Sequence, residues 1–72
     1  MTIEFYRGNL IVSVNNEDEL EEVKYTLDLI EKILRMSIDY DVTGDYEISV
    51  SVADYDEYRT IKSKIYDHCS VV

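Results

Sequence analysis

Seventy-two residues carry sixteen Asp and Glu against seven Lys and Arg, a net charge of −9 at pH 7, with 46% hydrophobic residues, no Pro and one Cys. A chain this apolar is no disordered acidic tail, and one this short forms a single domain, 1–72, near the lower size limit for folding without staples. Cys69 alone excludes an internal disulfide framework, no apolar run reaches membrane-spanning length, and "MTIEFYRGN" lacks a signal peptide's basic start and apolar stretch, so the cytoplasm is the expected compartment.

In chain order, "TIEFY" alternates, with Ile3 and Phe5 on one side and Glu4 and Tyr6 on the other, as a half-buried strand does. "RGN" is a turn signal, and "LIVSV" resumes the alternation with Leu10, Val12 and Val14 inward; together they predict a β-hairpin. Asn16, with Glu19 three residues on, has capping-box spacing and opens a helix from Glu17 to about Ile38. Along it Leu20, Val23, Leu27, Ile30, Leu34 and Ile38 form one apolar stripe, and Tyr25, Leu29, Ile33 and Met36 form a second beside it. Together they cover roughly 220° of the helix, against the 100° or so that one core face needs. The surplus predicts a homodimer through Tyr25, Leu29, Ile33 and Met36.

"DYEISVSV" alternates again, with Tyr46, Ile48, Val50 and Val52 inward. Asp54 and Glu57 repeat the capping-box spacing and open a shorter helix to about His68, buried along Tyr58, Ile61 and Ile65. The order is ββαβα. It predicts an α+β domain whose three-stranded sheet is packed on one face by a long and a short helix. A right-handed crossover makes strands two and three parallel and puts strand one in the middle.

Catalytic and cofactor chemistry find little to build on. "DYDVTGDYE", from Asp39 to Glu47, supplies Asp39, Asp41, Thr43 and Gly44 in the places of a calcium loop. Position 12, where a bidentate Glu belongs, is instead Val50, and a strand follows where a helix should. A weak calcium-binding domain is thus a secondary reading, and a Gly44-assisted exit from helix to strand is the plainer one. His68 and Cys69 are adjacent, but zinc needs further His or Cys ligands. No nucleophile motif, phosphate loop or basic nucleic-acid patch is present. No catalytic residue, metal site or cofactor is expected, and the chain is not expected to be an enzyme.

The charge is segregated. Glu17, Asp18, Glu19, Glu21 and Glu22; Asp39, Asp41, Asp45 and Glu47; and Asp54, Asp56 and Glu57 are twelve acids with no base among them. The remaining chain holds four acids and all seven bases. The outer arc of the first helix is ordinary mixed surface, Glu21, Asp28 and Glu31 beside Lys24, Lys32 and Arg35. Capping and the helix dipole account for the clusters at 17–22 and 54–57. The cluster at 39–47 follows a helix C-terminus, where carboxylates are disfavoured, and so calls for another reason. In the predicted topology 17–22 and 54–57 share one end of the sheet. The 39–47 cluster lies at the other, about 33 Å away, close to the 34 Å or so of one B-DNA turn. Asp45 and Glu47 fall about 6.7 Å apart on one face of strand three.

In size, charge, tyrosine content and want of a catalytic motif, the chain resembles the DNA-mimic proteins encoded by phages. Among them it is most similar to the small acidic inhibitors of the bacterial histone-like nucleoid protein HU. The resemblance implies an inhibitor, often dimeric, active in the host cytoplasm during host takeover, whose carboxylates occupy a basic groove made for phosphates. The twelve clustered acids would be its partner-binding residues, with no direct contact to nucleic acid or membrane. A protein-interaction module using the second apolar stripe is the alternative, and a solvated acidic surface accounts for the charge without any partner.

Overall fold

The computed structural model describes residues 1–69. The chain forms β1 (Thr2–Tyr6), β2 (Asn9–Ser13), α1 (Glu17–Leu34), β3 (Tyr40–Gly44), β4 (Glu47–Ser51) and α2 (Tyr55–His68). The small α+β class is as the sequence predicts, but the sheet has four strands in the order β1-β2-β4-β3, every neighbouring pair antiparallel. β1 is therefore an edge strand and not the middle one, and β2 lies antiparallel to its neighbour β4. The physical reason is the added strand. A βα connection that returns through β3 brings β4 back beside β2 as the second arm of a hairpin, so no parallel crossover is needed.

The first turn is as expected. Tyr6 pairs with Asn9, leaving Arg7 and Gly8 as a two-residue loop, both at positive φ (49° and 80°). That is the backbone whose twist matches flanking strands, and Gly8 fits it without a Cβ penalty. Both predicted caps form as well. Asn16 Oδ1 accepts from the Glu19 backbone N–H at 2.9 Å, and Asp54 Oδ1 accepts from that of Glu57 at 2.8 Å. Each Glu reaches back one residue beyond its cap, Glu19 to the Asn15 N–H and Glu57 to the Ala53 N–H.

α1 stops four residues short of the expected end. Arg35 turns left-handed (φ 54°), and its N–H still reaches the Glu31 carbonyl. The following loop is held by the Glu31 side chain, whose Oε2 accepts the Ile38 N–H at 2.7 Å. Ile38 is buried, as its place in the first stripe implied, but it enters the core from this loop. Glu31 is thus part of the loop's hydrogen bonding, and the outer arc of α1 is less uniform than its sequence implies. Replacing Glu31 by Ala should leave the Ile38 N–H without its acceptor and cost about 1–3 kcal/mol. Chemical denaturation would read this as a lower midpoint at unchanged slope.

One core lies between the sheet and the two helices. Ile3, Leu10, Val12, Ile48 and Val50 point from one sheet face to Leu20, Val23, Leu27 and Ile30 of α1 and Tyr58, Ile61 and Ile65 of α2. Thr26, buried among them, donates its hydroxyl to the Glu22 carbonyl at 2.8 Å. Tyr46 and Val52 lie outside β4. Tyr46 is 45% exposed in the β3–β4 turn, whereas Val52 still packs on the core. The opposite sheet face is open: register places Glu4, Ile11, Ser49 and Asp41 in one row across it.

Candidate acidic surface

The acidic stretch of 39–47 is not a helix-to-strand exit; it is β3 and its turn into β4. Tyr40 and Val42 pair with Val50 and Ile48, Gly44 pairs with Glu47, and a bulge between Val42 and Gly44 takes up the extra residue Thr43. Alternation sets Asp39 and Asp41 on the open face, about 6.7 Å apart along the strand. It is this pair, and not Asp45 and Glu47, that shares one strand face. Asp45 sits in the turn, and Glu47 opens β4, where its carboxylate accepts the Thr43 hydroxyl at 2.9 Å. Val50, at the position where a calcium loop needs its bidentate Glu, is fully buried opposite Tyr40. The stretch is a hairpin. Among the described residues, no group of three or more His, Cys, Asp or Glu could hold a metal ion.

The sequence-based reason for singling out this stretch changes accordingly. Asp39 lies five residues beyond the end of α1, so the helix dipole does not oppose it. A different local reason exists, because acidic residues and a bulge on an edge strand both discourage pairing with other chains. That accounts for Asp39 and Asp41. Asp45, out in the turn, has no such duty.

The arrangement of the clusters is also different from expectation. Antiparallel pairing of β2 with β4 brings the start of α1 beside the β3–β4 turn, with the Val14 N–H donating to the Tyr46 carbonyl at 2.9 Å. Glu17, Asp18 and Glu19 therefore share one end of the sheet with Asp45 and Glu47. Glu21 and Glu22 follow on the next turn of α1, where Glu21 pairs with Lys24 at 3.4 Å. Asp54, Asp56 and Glu57 sit at the other end, with Asp39, whose carbonyl accepts from the Ser51 N–H at 2.9 Å. The sequence-level pairing of 17–22 with 54–57 is overturned. So is the one-turn spacing: α1 has 18 residues and the molecule's longest extent is 28 Å.

Two base-free segments explain the outcome. No Lys or Arg occurs between Arg7 and Lys24, or between Arg35 and Arg59. The fold sets the acids of α1's first turn beside those of the β3–β4 turn, with Asp41 and Asp39 following along the β3 edge, while Asp54, Asp56 and Glu57 of the second segment start α2 at the opposite end. Tyr40 opens β3. Its phenol pKa is raised, first by burial and then by the Asp28 carboxylate.

The second apolar stripe of α1 is partly real. Tyr25 is 69% exposed and Ile33 is 43% exposed, with Leu29 half-buried between them. Met36 departs from the stripe, because the helix has ended and its side chain packs on the core. Sequence reasoning missed an aromatic cluster at the other margin, where Phe5 meets Tyr55 and Tyr58 at ring-centroid distances of 5.5 and 5.0 Å. Its signal was present in the helix spacing of Tyr55, Arg59, Lys62 and Tyr66, a face too polar to read as core.

No helix among the described residues is long and apolar enough to cross a membrane. Comparison with family models, with curated proteins and with solved structures gave no match. The functional reading therefore rests on this chain's own residues.

Proposed function

We propose that the chain is a non-catalytic DNA-mimic inhibitor, which lays its carboxylates into the basic DNA-binding surface of a host protein and excludes DNA. HU is the first candidate target. The observation that supports this is the end of the sheet where Glu17, Asp18 and Glu19 of one base-free segment come together with Asp45 and Glu47 of the other. Twelve acids lie in those segments, and all seven bases lie outside them. A surface made acidic only for solubility has no need to keep its bases apart. Basic DNA-binding grooves attract such a face at long range and hold it by many small contacts.

The test is capture from bacterial lysate at low and high salt, followed by competition with purified HU and duplex DNA. The proposal expects a nucleoid or other DNA-binding protein, released by salt and displaced from DNA by this chain. Capture that survives salt would favour the second reading, a protein-interaction module docking through Tyr25, Leu29 and Ile33.

A homodimer through the same stripe remains part of the proposal, now without Met36 at its centre. The largest exposed apolar side chains of α1 are its motive. Sedimentation at tens of micromolar should give a dimer, and Ile33→Asp should give a monomer of unchanged helicity. A wild-type monomer at that concentration removes the dimer.

A further inference from the structure

The margin of the molecule opposite β3 carries the acids of α2's first turn, Asp54, Asp56 and Glu57, and beyond them a patch of a different character. A groove of about 320 Å³ runs along α2, lined by Tyr55, Tyr58, Arg59, Lys62, Ser63 and Tyr66. Two cations and three phenol rings line it, and no carboxylate does. The Lys62 ammonium lies 5.5 Å from the Tyr58 ring centroid, and Phe5 of β1 meets Tyr55 edge-to-face and Tyr58 at a tilt. Arg7 adds a third cation at the tip of the β1–β2 turn, over the Tyr6 ring at 5.3 Å. β1 itself is an edge strand, with no strand on its outer side among the described residues. Unlike β3, it has no bulge, and its one acid, Glu4, is set by register on the open sheet face, as Asp41 is in β3.

An edge strand beside a helix face lined with cations and aromatics has a definite complement. We infer that β1 and α2 together form a docking groove for an acidic extended segment of a partner protein. The segment adds as a fifth strand beside β1 and lays alternate side chains on Arg59, Lys62 and the tyrosines. Charge complementarity selects the acidic character: the groove is locally cationic on a chain of net charge −9. The free strand edge selects a peptide over a nucleic acid, because a phosphodiester chain brings no amide groups to pair with β1 and meets the whole chain's negative field.

The experiment is fluorescence anisotropy of a labelled octapeptide alternating glutamate and valine, titrated with the intact chain at about 0.15 M salt, where the Debye length is near 8 Å. Saturable binding is expected. Arg59→Gln with Lys62→Gln should raise Kd about fivefold or more, and the same octapeptide N-methylated on all its amides should not bind. A variant with Asn or Gln at Asp39, Asp41, Asp45 and Glu47 should bind the octapeptide no more weakly than wild type. That result would keep this groove distinct from the acidic surface, so that either proposal can fail alone. Absent binding, or equal binding of the N-methylated peptide, overturns the inference. A stronger response to an octamer of thymidylate makes the groove a single-strand platform instead. Self-association that is lost in the Arg59, Lys62 variant makes the occupant a second copy, and either result also overturns it.

Discussion

Replacing Asp39, Asp41 and Asp45 by Asn and Glu47 by Gln is expected to weaken binding to the proposed basic target roughly ten- to a thousandfold, with a flatter salt dependence. Charge contacts at an interface rim are worth about 0.5–1 kcal/mol each, more where desolvated. Four of them sum to about 2–4 kcal/mol, and each 1.4 kcal/mol or so is a factor of ten. Folding should survive. All four side chains keep their size, and Glu47→Gln retains a side-chain oxygen to accept the Thr43 hydroxyl, as the Glu47 carboxylate does. Asp39 and Asp41 are exposed and lie on the open sheet face, away from the core. The control is Asp28→Asn with Asp67→Asn, two exposed acids outside the base-free segments. Glu31 is unsuitable as a control because it holds the loop at Ile38. In competition, wild type and the control should displace DNA from the target, and the quadruple variant should not. Equal competition by the quadruple variant would reduce these acids to protection of the β3 edge.

Leu27→Ala should remove a large share of the chain's stability. Leu27 is fully buried on α1, within the single cluster shared by the sheet and both helices. Deleting a buried Leu side chain costs about 2.7–5 kcal/mol, the lost transfer energy plus the cavity that remains. A 72-residue domain is stable by about 4–11 kcal/mol in all, so this one change removes a quarter or more of it. Each 1 kcal/mol shifts the midpoint of so small a domain by about 4–8 °C. A fall of at least about 10 °C in thermal melting by circular dichroism is the expected reading. Leu29→Ala, two residues on and half-buried in the outer stripe, should cost much less in a monomer. If both fall equally, the outer stripe is covered in solution and supports the dimer.

Local patterns of residues determined much of this protein. The hairpin of β1 and β2, both helix starts and nearly all core positions follow from alternation, capping spacing and helical stripes, because each depends on residues within about four positions of one another. The end of α1 was less legible. The apolar stripe continues through Ile38, but Arg35 leaves the helix left-handed and Glu31 secures the loop, and periodicity carries no sign of either. β3 was legible in principle. Tyr40 and Val42 alternate with Asp41 and Thr43, yet the acids and Gly44 made the stretch read as a turn. Once that strand was missed, the pairing of β2 with β4 could not be found, since strand order depends on contacts tens of residues apart. The tertiary structure alone decided which acids are neighbours. The sequence shows two segments without bases; only the antiparallel return of β4 beside β2 sets Glu17 to Glu19 against Asp45 and Glu47, and leaves Arg59 and Lys62 on the far margin.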